Sequence, residues 1–407
     1  MTTATPTTET EERAFGPTFV LVVAAGFAYF LSLGILAPVL PKYVEEVLHG
    51  STWQYGLPVA VFAVAAGVLR PWVSSVSDRR GRRILVVAGC AVAAVSMLGY
   101  GLPGGMAVLL LMRAVTGAGE AAVFVGAATT AQDLAPDHRR GEAASYFSIA
   151  VYGGTGAGAP LGVWLYTQHG ANSAWTAAAI ACAVGALLGL RLPPTRPKAA
   201  ASATAVTATG LRRYLHPAAV RPGTVLLLSA FGYAGFSTFI PVLVSDAMTG
   251  RILTEYALFI LAVRIFGRRL PDRLGPRRGP LIALACQATG LTLLTLTQDA
   301  PLVYLSTAVF ASGTSLLYPA LFPIVVARAP ESERSRAIGT FTMFFDLSQG
   351  FGASLLSVVA DVTEKRFAFL AAGIAAACGF VLHRSSHVPD RLVDVDDEPC
   401  PPPEPGE

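Results

Sequence analysis

Long apolar blocks alternate with short polar breaks along the whole chain, and the length of each block matches a physical constant. A helix rises about 1.5 Å per residue and the hydrocarbon core of a bilayer is about 30 Å thick, so roughly 20 apolar residues cross it once. Blocks of that size predict helices near 17–41, 55–77, 84–102, 106–133, 142–166, 174–192, 223–245, 252–270, 280–297, 301–328, 336–360 and 367–385. The eighth is the weakest, because Arg264, Arg268 and Arg269 leave an unbroken apolar run of only about a dozen residues. The expected fold is an all-α membrane protein with twelve transmembrane helices.

A second pattern lies above the first. Arg70 precedes Asp78-Arg79-Arg80-Gly81-Arg82-Arg83 by eight residues, and Arg264 precedes Asp272-Arg273-Leu274-Gly275-Pro276-Arg277-Arg278 by the same eight. The offset, 272 − 78 = 194, also maps Pro136 onto Pro330, Ala143 onto Ala337, Phe147 onto Phe341, Gly156 onto Gly350 and Gly158 onto Gly352. A unit near 200 residues is too long for a solenoid, so it predicts two homologous six-helix bundles related by a pseudo-two-fold axis.

Composition agrees with the pattern: 53% hydrophobic residues, 14% charged residues and a mean hydropathy of +0.55 exclude a water-soluble globular chain. Charge then sets the topology. Of the 30 Lys and Arg residues, Lys42, Arg251, Lys365 and Arg366 fall in odd-numbered loops and Arg113 inside a span, leaving 25 in the termini, the even-numbered loops and the membrane ends beside them. The positive-inside rule therefore places both termini in the cytoplasm. The net charge of +4 is spread over many loops instead of one patch, so a nucleic-acid partner is not expected.

The chain divides into a Thr- and Glu-rich cytoplasmic segment (1–16), expected to be disordered and without a signal peptide, a first bundle (17–192), a Pro- and Ala-rich cytoplasmic linker (193–222), a second bundle (223–385) and a disordered acidic cytoplasmic tail (386–407). Cys90, Cys182, Cys286 and Cys378 fall one each in spans 3, 6, 9 and 12, with Cys400 in the tail. None has CxxC spacing, so they read as packing residues, with no metal and no cofactor. Only three of the basic residues are Lys, a bias typical of high-G+C bacterial genomes. The expected location is a bacterial plasma membrane, and the expected state a monomer.

The loop after span 2 carries chemistry of its own. Asp78 at a helix end is placed to bond the N–H groups that start a neighbouring helix, and Gly81 permits a tight turn with unusual backbone angles. Topology alone explains the arginines, but not Asp78 or Gly81, nor their recurrence at Asp272, Arg273 and Gly275. Asp78-Arg79-Arg80-Gly81-Arg82-Arg83 resembles the signature loop of the major facilitator superfamily, with Ser74 standing where that family has a leading Gly. The resemblance covers all twelve spans. It implies a cytoplasmic gate in which Arg82 pairs with Asp133 at the end of helix 4.

Within the spans, Arg113 and Glu120 are seven residues apart, a rotation of about 700°, which puts both on nearly one helix face about 10 Å apart. They read either as a proton-coupling pair, with Glu120 the titrating group, or as a fixed pair that lets two polar groups insert. Arg113-x-x-x-Gly117-x-Gly119 also resembles a family motif whose Arg is associated with proton coupling. Asp346 and Gln349 lie near the midplane of helix 11, and Tyr152 occupies the position equivalent to Asp346 in helix 5. Asp346 reads as a second protonatable group, as the partner of a cationic cargo, or as a cap on an interhelical hydrogen bond. Glu255 reads as solvated near an outer helix end.

Helix 5 contains Gly153-Gly154-Thr155-Gly156-Ala157-Gly158-Ala159-Pro160, where Gly154 and Gly158 allow close helix packing and Pro160 a kink. This run, and Pro38-x-x-Pro41 in helix 1, resemble elements associated with proton-coupled exporters. The expected function is therefore proton-coupled efflux, by alternating access, of a small and partly apolar molecule such as a drug or secondary metabolite. The alternatives are uptake by symport with protons and a non-transporting receptor or assembly factor. An enzyme is not expected, since no Ser/His or metal constellation lies in the spans, and a P-loop is absent from the sequence.

Overall fold

In a computed structural model of the chain, the structure describes residues 16–135, 140–193, 215–267, 270–329 and 334–386. The expected N-terminal segment, most of the linker and nearly all of the tail lie outside the described residues, as do the side chains of Asp78, Arg79 and Asp272. The first half contains α1 (Pro17–Lys42), α2 (Leu57–Arg80), α3 (Arg82–Leu98), α4 (Gly105–Leu134), α5 (Arg140–His169) and α6 (Ala171–Leu190). The second contains α7 (Pro217–Leu243), α8 (Asp246–Phe266), α9 (Leu270–Leu296), α10 (Ala300–Arg328), α11 (Arg334–Val362) and α12 (Phe367–Arg384).

Three helix starts precede the sequence reading by six residues or more, and all three lie in the second half. Helix α7 begins at Pro217, inside the stretch expected to be linker. His216 caps it by accepting from the Ala218 N–H at 3.2 Å, and proline is tolerated in a first turn, where its missing N–H has no intrahelical acceptor. Helix α8 starts at Asp246 instead of 252 and α9 at Leu270 instead of 280. Their polar first turns carry Asp246 or Arg273, which hide a helix start from an apolar-block reading.

The two halves repeat each other's packing. α1 lies against α5 and α6, α2 on α4, and α3 against α4 and α6; α7 lies against α11 and α12, α8 on α10, and α9 against α10 and α12. The connection α2–α3 is one residue, Gly81, at φ 85° and ψ 162°, and Gly275 breaks α9 at φ 71° and ψ 174°. These left-handed conformations, 194 residues apart, are why each loop carries a glycine.

The α1–α5 seam is built from small residues. A Cβ on Gly154 would sit 2.8 Å from both the Phe27 carbonyl oxygen and the Leu31 nitrogen, and one on Gly158 or Gly162 would collide with the Leu31 or Ile35 carbonyl. The four-residue spacing 154, 158, 162 meets the four-residue spacing 27, 31, 35, so the ridges of one helix fill the grooves of the other. Among the described residues ten helices are long and apolar enough to cross a membrane. The two that are not, α5 and α8, pack against each other between the halves, where Gly, Thr, Arg and Glu replace lipid-facing residues.

Candidate functional site

The halves meet through α2 against α11 and α5 against α8, a pair of contacts that the pseudo-two-fold axis exchanges. The face carrying the start of α1, the end of α6, the start of α7 and the end of α12 is here called the terminal face; the opposite one is the far face. At the far face the halves are shut together. Gly56 abuts Ala353, Pro160 of α5 lies 3.0 Å from where a Cβ of Gly250 would be, and the Thr254 hydroxyl donates to the Gly156 carbonyl at 3.0 Å. Lys42 pairs with Asp246, and Lys365 with Glu45. Toward the terminal face, α4 and α5 form no extended seam with α10 and α11 among the described residues.

At the inner limit of the far-face closure lie two arginines. Arg70 is ten residues from the end of α2, about 15 Å along the axis from that end. One of its Nη atoms donates to Asp346 Oδ2 of α11 at 2.5 Å, the other to Glu120 Oε2 of α4 at 3.2 Å, and its guanidinium sits 5.1 Å above the Phe124 ring. One cation thus holds a carboxylate of its own half and one of the other half. All three side chains are less than a quarter exposed, at 22%, 10% and 14% for Arg70, Glu120 and Asp346.

Arg264 of α8 is the repeat-equivalent of Arg70 and reaches the other way. It donates to Ser148 Oγ at 2.8 Å and Tyr152 Oη at 3.4 Å, both on α5, and lies 4.9 Å above the Tyr152 ring. The offset of 194 maps Tyr152 onto Asp346 and Glu120 onto Thr314. Two geometrically matched latches therefore differ in chemistry: one has two carboxylates, the other only hydroxyls. Aromatic pairs flank them in the same register, Phe124 with Phe147 at 6.0 Å between centroids and Tyr318 with Phe341 at 5.3 Å.

Arg113 and Glu120 share a helix but not an ion pair. Arg113 is 4% exposed; its Nε donates to the Pro58 carbonyl at 2.9 Å, one Nη to Tyr100 Oη at 3.3 Å, and its guanidinium lies 4.3 Å above Phe62. Two helical turns separate the two Cα atoms, so each side chain bonds the neighbour at its own depth, and for Glu120 that neighbour is Arg70. Gln349 is one turn beyond Asp346, half-buried, with its amide nitrogen buried and unpartnered. Glu255, expected to be solvated, is half-buried, with Oε2 buried and unpartnered among the described residues.

At the terminal end of the first half, Arg82 pairs with Asp133 and donates to the Thr129 carbonyl at 3.1 Å, tying α3 to α4. The second copy has Ala327 at the position equivalent to Asp133, and Arg273 is exposed. Sequence reading placed Arg70 and Arg264 in the repeated motif but not in the site. The signal that finds them is depth, since eight helical residues carry each about 12 Å from its Asp toward the midplane.

Known proteins share this architecture. The model of the Major Facilitator Superfamily matches residues 22–249 and again 225–402. An uncharacterised MFS-type transporter of Salmonella typhimurium is 28% identical over 371 residues, covering 88% of this chain and 93% of its own length. Multidrug resistance protein 1 of Bacillus subtilis is 26% identical over 385 residues, covering 92% and 97%. Among solved structures, an inward-facing, occupied bacterial homologue of the human lysosomal transporter Spinster aligns at a TM-score of 0.72 with 15% identity, over 91% of this chain and 96% of that one. A variant of the nucleoside transporter NupG aligns at 0.69, also with 15% identity, over 90% and 98%. Two matches of one family model, one over each half of a chain whose halves pack alike, lead to one conclusion: the chain belongs to the Major Facilitator Superfamily.

Proposed function

We propose that the protein exports a small, partly apolar molecule in exchange for protons, by alternating access between its two halves. The observation that carries this reading is Arg70, one guanidinium shared between Glu120 of its own half and Asp346 of the other. With both carboxylates ionised, Arg70 ties α2 to α11. A proton on Asp346 removes the charge that holds the bond between halves, while Arg70 keeps Glu120, so the first half stays intact and the contact between the halves loosens.

With both termini cytoplasmic, as the positive-inside rule expects, the far face is external and its closure leaves the halves to part on the cytoplasmic side. In it, Asp346 is bonded as a carboxylate, the state expected after its proton has left inward. The aromatic pairs beside the two arginines suit an apolar cargo, and the multidrug resistance relative from Bacillus subtilis supports the direction.

Expression in cells stripped of their own pumps tests the proposal. A panel of fluorescent amphiphiles should accumulate less in cells with the wild type, and a protonophore should restore accumulation. Protonophore-sensitive uptake would favour symport instead. Failure of every amphiphile to respond, with normal membrane insertion, would favour the receptor class.

A further inference from the structure

We infer that Arg264 is the anchor for an anionic group on the cargo, so that the transported class is a carboxylate, sulfonate or phosphate monoanion with an apolar body. This deepens the transport reading above and rests on it. The argument begins with the contrast between the two latches. At one depth in the bundle, the pseudo-two-fold axis places two guanidinium groups, and Arg70 has two carboxylates while Arg264 has none. Among the described residues its bonding partners are two neutral hydroxyls and its ring contact is Tyr152; its Nε, like that of Arg70, is buried without a partner.

A guanidinium taken out of water favours a counter-charge, and hydroxyls supply only dipoles. Arg264 therefore retains an electrostatic demand that Arg70 has already met. The planar fork matches two oxygens of one anion at once, which a single hydroxyl does not. Tyr152 then serves a second purpose. A hydroxyl that accepts from arginine still has its own O–H to donate, and that of Tyr152 can turn onto an anion held at the fork.

Aromatic side chains continue from the fork into the second half, Tyr256 and Phe310 among them buried. Tyr152 lies under the guanidinium, and Tyr233, Tyr256 and Phe310 form a stacked group in the second half, with centroid separations of 5.3 and 5.4 Å. An anion leaving a cell moves down an inside-negative potential, so exchange for one inbound proton moves two charges in the favourable direction, whereas uptake of an anion has to oppose that potential.

The test uses the purified full chain in detergent and three probes of one shape: naphthalene-2-carboxylate, 2-naphthamide and 2-naphthylmethylammonium. Binding to the folded state raises Tm. The carboxylate is expected to raise Tm in the wild type while the amide and the ammonium leave it unchanged. Arg264→Gln should remove the shift, and Asp346→Asn should keep or enlarge it. Where Arg264→Gln fails to fold, Arg264→Lys, which keeps the charge but not the fork, should show a reduced shift. The inference is overturned if the three probes shift Tm equally, if none does, if the ammonium alone acts and Asp346→Asn abolishes its effect, or if the arginine variants retain the full shift. The measurement needs no gradient and no flux, so a wrong direction of transport leaves it intact.

Discussion

At the residue scale, Glu120 and Asp346 share one cation, Arg70, while Arg113 bonds the Pro58 carbonyl and the Tyr100 hydroxyl instead. Arg70→Lys keeps the charge but not the fork that spans two carboxylates. Proton-driven flux in proteoliposomes should fall at least as far as in Asp346→Asn, and unchanged flux would separate Arg70 from coupling. Asp346→Asn should abolish accumulation against a gradient yet retain downhill exchange, because the cargo contacts remain. Arg113→Lys should behave differently. Its hydrogen bonds to Pro58 and Tyr100 join α4 to the start of α2 and to the α3–α4 connection, and bonds to a charged group are worth about 1.5–3 kcal/mol. The variant should therefore melt at lower temperature while coupling survives in whatever protein is folded; a normal Tm with lost coupling would reverse that assignment. Arg70 was legible as a repeated residue and Glu120 as a membrane carboxylate, but not as partners, since 50 residues and the whole of α3 separate them.

At the element scale, the seam between α1 and α5 lies inside one half and should persist through the transport cycle. Gly158→Ala forces a methyl onto the Leu31 carbonyl and should cost about 1–3 kcal/mol through overpacking, seen as reduced yield of folded protein. Gly339→Ala is the control. Nothing lies within 4 Å of a Cβ there, and replacing glycine within a helix should stabilise by about 0.5–1 kcal/mol. Equal yields for the two variants would show that the seam has slack. The glycine run in α5 was readable as a packing face because close helix contact in a membrane selects small residues at four-residue spacing. Its partner helix was not, since α1 has its own small residues but no signal naming α5.

At the scale of the whole molecule, the proposed alternating access makes closure of the far face one end of a two-state motion, with the ion pairs Lys42–Asp246 and Lys365–Glu45 where the halves would part. In a background without the native cysteines, Lys42→Cys with Asp246→Cys should be joined by a short, reducible bis-methanethiosulfonate reagent, which replaces the reach of the native side chains between the halves. Flux should then stop and return on reduction. Full flux through completely crosslinked protein would exclude rocking about the central site. A Gly250→Val substitution, which brings bulk against Pro160, should bias the population the other way, opening the far face and raising the reactivity of a Thr254→Cys thiol toward external thiol reagents.

What the sequence determined by itself was the solvent, the number of helices, the duplication and the two glycine turns. Each of these depends on short-range or averaged properties: apolar length against bilayer thickness, identity at a constant offset, and the φ that only glycine adopts cheaply at Gly81 and Gly275. It also placed Arg82 and Asp133 together, because a known motif stood in for distance. Tertiary structure alone decided that Glu120 answers to Arg70 and not to Arg113, that Asp346 ties one half to the other, and that Arg264 is left with hydroxyls. The physical reason is that an ion pair in a membrane is chosen by depth and by which helix faces are brought together, and neither quantity is local in the chain. Periodicity put Arg113 and Glu120 on one face, but only the packing of α2 against α4 and α11 supplied the nearer cation.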